Sequence, residues 1–226
     1  MGFWPTWGLA LLGSAPDGGD MNPNVLLGIL PFRTGVADED SLWSLLEIMR
    51  RGYPFLKVDC QRTDKQRNEM ARLLLASPYS HILMLDADHK HPPDIVERLV
   101  QRVIDDPTRL VVSGLSFRRG PPYDPTAWVV GENGQVKHMI QNKIPHGLVE
   151  VDIVGGSALL IHRSVFERIE WPWFELTYVK GQYAGEDVTF CNKCRTAGIK
   201  IYSDTTVQSP HLAKRWIDEE TFNKGG

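Results

Sequence analysis

"HILMLDADHKHPPD", His81 to Asp94, takes an apolar run, Ile82 to Leu85, straight into two aspartates separated by one alanine. Two histidines and two prolines follow. A short continuous apolar run bounded by turn-forming residues describes a strand buried on both faces, the kind found in parallel sheets flanked by helices. Such a strand ends in a loop, and aspartate is common in loops. In extended backbone, however, residues two apart point the same way, so Asp86 and Asp88 can face one ligand. Hard cations such as Mg2+ and Mn2+ take carboxylate oxygens of this kind. D-x-D by itself does not separate loop from metal site.

Reading outward, strand and helix patterns alternate. "NVLLGIL" (Asn24–Leu30) is a first buried strand. "DEDSLWSLLEIMRR" (Asp38–Arg51) is helical, with Leu42, Leu45, Leu46 and Met49 on one face, acids at its start and arginines at its end. "FLKVD" (Phe55–Asp59) is a second strand. "DKQRNEMARLLLA" (Asp64–Ala76) is a helix that Asp64 is placed to cap. After the third strand, "PPDIVERLVQRVID" (Pro92–Asp105) is a helix with proline in its first turn, and "LVVSGLSF" (Leu110–Phe117) a fourth strand. This alternation predicts an α/β fold, a single Rossmann-like domain with a mostly parallel central sheet between helices.

The second half differs in texture. "AWVVGENGQVKHMI" (Ala127–Ile140) predicts a small antiparallel hairpin turning at Glu132-Asn133-Gly134. "LVEVDIVGGSALLIHRSVFERI" (Leu148–Ile169) reads as strand, glycine pair, strand and short helix. "GEDVTFCNKCRTAG" (Gly185–Gly198) is a helix closed by glycine, and "IKIYSD" (Ile199–Asp204) a last strand before "TTVQSPHL".

The totals narrow the classes. A net charge of -3 argues against a general positive field for nucleic acid, although a local basic patch is compatible with it. Three cysteines are too few for a disulfide framework and fit a reducing, cytoplasmic setting. Cys191 and Cys194 have C-x-x-C spacing but fall inside a helix without a second ligand pair, so they read as packing residues. Residues 1–22 read as a flexible N-terminal extension, with Met21 an alternative start, and 23–226 as one domain. No later segment is long and apolar enough to span a membrane.

Four groups of residues could carry chemistry. Asp86 and Asp88 lie beyond the carboxyl end of a strand, where open α/β sheets bind ligands. Glu186 and Asp187 open a helix, as capping acids or as a positioned general base. His211, and the H-x-H pair His89 and His91, read as incidental loop histidines or as ligands. Arg67-Asn68 reads as a solvated helix face or as a clamp for a nucleotide. Neither phosphate-binding glycine fingerprint occurs.

Taken in order, "LPFRT", "QRNEMA", "HILMLDADHKHPPDIVERL", "VGGSALLIHRSVFERI" and "AGEDVTFCNKCRTAGIKIYSDTTVQSPHL" resemble the GT-A-fold glycosyltransferases, family 2-like, in the compact form common in phages and bacteria. The resemblance runs from about Asn24 to Leu212. It implies a hexosyltransferase-like enzyme that moves a sugar from a nucleotide-diphosphate-sugar donor, UDP- or GDP-linked, to an acceptor hydroxyl, with inversion. It implies a divalent ion, Mn2+ or Mg2+, at Asp86, Asp88 and His211. Pro31, Arg33, Thr34, Arg67, Asn68 and Asp86 would meet the nucleotide, and Gly155, Gly156 and Ser157 the donor sugar. Asp187 would be the base, beside Glu186. "FRRGPPYDP" (Phe117–Pro125) and "WPWFELTY" (Trp171–Tyr178) fall where relatives adapt to acceptors. The acceptor is left open among polysaccharide, modified nucleic acid, lipid and protein. The alternatives are a retaining GT-A enzyme, a sugar-1-phosphate nucleotidyltransferase, and a non-catalytic nucleotide-sugar-binding module.

Overall fold

A computed structural model describes residues 24–30, 38–58, 62–133, 135–138, 144–179, 182–213 and 216–223. The first half alternates as the sequence predicts. The elements are β1 (Val25–Leu30), α1 (Glu39–Met49), β2 (Phe55–Lys57), α2 (Thr63–Leu75), β3 (His81–Asp86), α3 (Ile95–Asp105) and β4 (Val111–Leu115). The second half adds β5 (Ala127–Val130), β6 (Val136–His138), β7 (Leu148–Val151), β8 (Ile153–Val154), β9 (Ala158–His162) and α4 (Arg163–Arg168). It continues through β10 (Thr177–Val179), β11 (Gln182–Ala184), α5 (Glu186–Thr196) and β12 (Ile201–Gln208). It closes with β13 (His211–Leu212), β14 (Trp216–Ile217) and α6 (Glu219–Asn223).

Seven strands form the central sheet in the order β2-β1-β3-β9-β4-β12-β7, with small antiparallel sheets beside it. β2, β1 and β3 pair in parallel, as do β4 and β12. β9, from the second half of the chain, runs antiparallel between β3 and β4. Because β9 starts where β3 stops, Ala158 lies opposite Leu85, and the Asp86 N–H donates to Ser157 O at 2.9 Å. One pairing thus sets the glycine pair beside the D-x-D.

Alternation along β3 divides the core between two layers of helices. Ile82 and Met84 pack with Met70 and Leu74 of α2, and with Phe166, Phe174 and Phe190. Leu83 and Leu85 pack with Leu45 and Ile48 of α1 and Ile95 and Leu99 of α3. Burying such a side chain stabilises by roughly 1.5–3 kcal/mol, which is why the run tolerates no polar residue before Asp86.

Four details depart from the sequence reading. The buried face of α1 is Ser41, Ser44, Leu45 and Ile48, whereas Leu42 is 41% exposed. Ser44 Oγ donates to Ser41 O at 2.9 Å and accepts from the His91 N–H at 3.3 Å, so two small polar residues let the helix lie against the loop after β3. The cap position of α2 falls on Arg62, which makes no side-chain capping bond, and Asp64, the second residue of the helix, ion-pairs with it. α3 begins at Ile95, because Pro92 to Asp94 form a turn in which Ile95 N–H donates to Pro92 O. β12 runs on to Gln208 through a register shift between Asp204 and Gln208.

The predicted β5–β6 hairpin is present, with Trp128 opposite His138, and Gly134 and Ile140 outside the described residues. So are residues 1–22 and the predicted nucleotide loop residues Pro31, Arg33 and Thr34. Cys191 and Cys194 are buried in α5 as free thiols. No described helix is long and apolar enough to cross a membrane.

His81, at the opposite end of β3 from the aspartates, is 5% exposed and stacks edge-on against His162 at 4.7 Å. Burial, helped by His162, pushes its pKa down to about 3. The unfolded chain therefore binds a proton at this position between about pH 6.5 and 3 that the folded chain refuses. Stability from this group is complete above pH 6.5 and falls with acidification at up to about 1.4 kcal/mol per pH unit. Urea unfolding at pH 7, 6 and 5 should show this loss, and His81→Phe should flatten the slope.

Candidate active site

Arg67, on α2, is 1% exposed and is the largest fully buried side chain among the described residues. Its Nη2 donates to Asp86 Oδ1 at 2.8 Å, its Nη1 to Gly156 O at 2.9 Å and its Nε to Glu186 Oε1 at 3.4 Å. A buried charge persists only when paired and hydrogen-bonded, and these carboxylates outweigh the cost of burial. A Cβ on Gly156 would come within 2.6 Å of Nη2, so the second glycine of the pair makes room for the guanidinium. A Cβ on Gly155 would meet Thr126 Cβ at 2.8 Å. Asn68 is turned to Phe174, donating to its carbonyl at 2.6 Å and accepting from its N–H at 3.2 Å. Neither residue is a solvated helix face.

Beyond Asp86 the chain folds a cluster of histidines around Asp88. Ligand atoms of Asp88, His89 and His211 all lie within 4.8 Å of one another. His89 Nδ1 contacts Asp88 Oδ1 at 2.8 Å, and the rings of His89 and His211 stack at 4.0 Å. An isolated bridge between His89 and His211 joins the two segments, and the Leu212 N–H donates to Asp88 O at 2.9 Å. His211 Nδ1 donates to Phe117 O at 2.9 Å, which fixes the tautomer and leaves the Nε2 lone pair facing Asp88 Oδ2 at 3.7 Å.

His89 and His91, read from sequence as polar loop residues, are 3% and 2% exposed. His91 is held between Ser209 Oγ and Asp86 O, each at 2.9 Å. The H-x-H spacing was the available signal for both. Arg119, which no motif marked, reaches the same cluster: its Nε donates to His211 Nε2 at 2.6 Å and its Nη2 to Asp88 Oδ2.

The second acid pair sits where α5 begins. Gly185 is the cap residue, and a Cβ there would lie 2.7 Å from Asp187 Oδ1. Asp187 accepts from the Val188 N–H at 2.8 Å and from the Gly156 N–H, so capping and the glycine loop together hold its carboxylate. Ser157 Oγ is buried with no hydrogen-bond partner among the described residues.

The electrostatics separate these acids. Burial raises Asp187 to about 6, with Glu186 adding to the rise and Arg67 opposing it. Burial likewise raises Asp86 to about 6 against the pull of Arg67. Asp88 moves the other way: burial would raise it, but the groups gathered around it, with His89 hydrogen-bonded to one oxygen, prevail and hold it well below the carboxylate range. Burial lowers His89 to about 3 and His91 to about 4, so both rings are neutral at pH 7. Ionised oxygen beside neutral imidazole is a donor set that Mn2+ and Mg2+ accept, Mn2+ the more readily with nitrogen present. Asp88, His89 and His211 therefore fit a divalent cation, and Asp86, one oxygen given to Arg67, lies next to them.

The fold has solved counterparts. The structure resembles the crystal structure of A197 from STIV, with a TM-score of 0.58 and 17% identity over 83% of this chain and 85% of that one. It also resembles GalNAc-T7 determined with UDP, GalNAc and Mn2+, with a TM-score of 0.54 and 12% identity. That match covers 85% of this chain and 44% of the other. The architecture is that of the GT-A fold. No family model and no curated protein sequence matches the chain.

Arg67 provides a direct check on the network. Arg67→Met leaves carboxylates buried without their cation and should lower the unfolding free energy by about 3–5 kcal/mol. Arg72→Met, which breaks an exposed pair with Glu69, should change it by less than about 1 kcal/mol in the same urea titrations.

Proposed function

We propose that the protein is a metal-dependent glycosyltransferase that moves a sugar from a nucleotide-diphosphate donor to an acceptor hydroxyl with inversion. The observation that carries this is the convergence of Asp88, from the end of β3, with His211, from beyond β12, on one small volume beside the Gly155–Ser157 loop. A pure binding module has no need for a separate carboxylate like Asp187, raised toward neutrality and held by two backbone N–H groups.

In this mechanism Asp88, His89 and His211 hold the cation, with Asp86 alongside. When bound, a divalent ion supplies positive charge against the diphosphate as it departs. Arg67 and Asn68, expected from sequence to meet the nucleoside, have protein partners here and position Asp86 and the Phe174 wall. Ser157, expected from sequence to meet the donor sugar, keeps its hydroxyl buried and without a hydrogen-bond partner among the described residues. Asp187 accepts the proton of the acceptor hydroxyl as that oxygen forms its bond to the anomeric carbon. The bond from that carbon to the diphosphate oxygen breaks with its electron pair, and Glu186, paired with Arg67, adds the negative charge that helps raise the base toward neutrality. UDP-sugars are the first donors to try, since GalNAc-T7 was determined with UDP and GalNAc.

Initial rates with Mn2+ and a panel of nucleotide sugars provide the test. Asp88→Asn should lose about 100-fold or more in transfer while keeping its thermal transition, and undiminished metal-independent turnover would refute the assignment. Because the base must be ionised, the rate should fall about tenfold per unit as pH drops below about 6. Asp187→Asn should reduce transfer by about 100-fold to 10000-fold with donor affinity retained. Wild-type rates in that variant would remove Asp187 from the mechanism.

A further inference from the structure

Arg119 stands on an exposed loop that closes on itself. Phe117 bridges Pro125, the Arg118 N–H donates to Asp124 O at 2.9 Å, and the Tyr123 N–H donates to Gly120 O at 2.9 Å. Tyr123 has φ 61°, a left-handed backbone that costs a bulky residue free energy, so the loop holds its shape against a local penalty. Arg119 is 54% exposed, yet its guanidinium turns inward. It binds Asp88 Oδ2 through Nη2 and His211 Nε2 through Nε, the latter at 2.6 Å.

Those two acceptor atoms are the ones a cation needs. An imidazole nitrogen has a single lone pair, and His211 Nδ1 is already committed to Phe117 O. Arg119 and a divalent ion therefore cannot both bind His211 Nε2. Assuming the cation site proposed above, we propose that Arg119 is a built-in cation that a divalent ion displaces from Asp88 and His211, and whose guanidinium then pairs with the donor's phosphates. In its inward position Arg119 ion-pairs with Asp88, two residues from Asp86. Once displaced, it stays on a short exposed loop beside Asp88 and His211, positively charged and forked. The ion's diphosphate ligand is the partner that such a group recognises.

The test titrates Mn2+ alone into the full chain, by calorimetry or by the Mn2+ magnetic resonance signal, in wild type, Arg119→Gln, Arg118→Gln and Asp88→Asn. Arg119→Gln should bind Mn2+ about 5-fold tighter or more. Arg118→Gln, the same charge loss on the neighbouring exposed residue, should match wild type. With saturating Mn2+, UDP should bind Arg119→Gln about tenfold more weakly than wild type. Equal or weaker Mn2+ affinity in Arg119→Gln overturns the exchange, as does equal tightening in Arg118→Gln, which would reduce the effect to overall charge. Unchanged UDP affinity overturns the transfer to phosphate. In either case, loss of Mn2+ binding in Asp88→Asn leaves the cation site standing. Mn2+ bound by Asp88→Asn as by wild type would refute the site and this inference together.

Discussion

A buried guanidinium holds the candidate site together. Arg67 reaches Asp86 on β3, Glu186 on α5 and the Gly156 carbonyl in one planar fork. Charge without water must find opposite charge and directed acceptors, so three segments distant in sequence are drawn to one point. Gly156 leaves room for that group, and the Phe174 ring packs against it. Such a network adds little net stability over an apolar core of the same shape, but it leaves few other arrangements open to the acids around it.

Topology supplies what side chains alone cannot. Inserting β9 antiparallel between β3 and β4 brings a loop from the second half of the chain to the end of β3. The register shift in β12 redirects the chain after Gln208, so that His211 bridges His89. Irregularities of this kind bend a strand and re-aim the residues that follow. The result is acids with opposite electrostatic tendencies: Asp88 kept strongly ionised, Asp86 and Asp187 raised by burial.

Several ambiguous residues hold two roles at once. Asp187 satisfies a free N–H at the start of α5, as a capping acid does, and the same bond aims it beside Gly156. Asp86 ends a strand in a loop and anchors Arg67. A structural role for a carboxylate therefore does not exclude a chemical one.

Alternation of apolar runs with helical periods determined, from sequence, the α/β class, most strands and helices, and the expectation that Asp86 and Asp88 lie at a strand's carboxyl end. Those features depend on local spacing and on which residues avoid water. Tertiary structure alone decided that Ser41 and Ser44 face inward, that Arg67 is buried, that His89 and His91 are enclosed, and that Arg119 reaches Asp88 and His211. Each depends on partners far along the chain, and an arginine or histidine has the same local preferences whether such a partner is present or not.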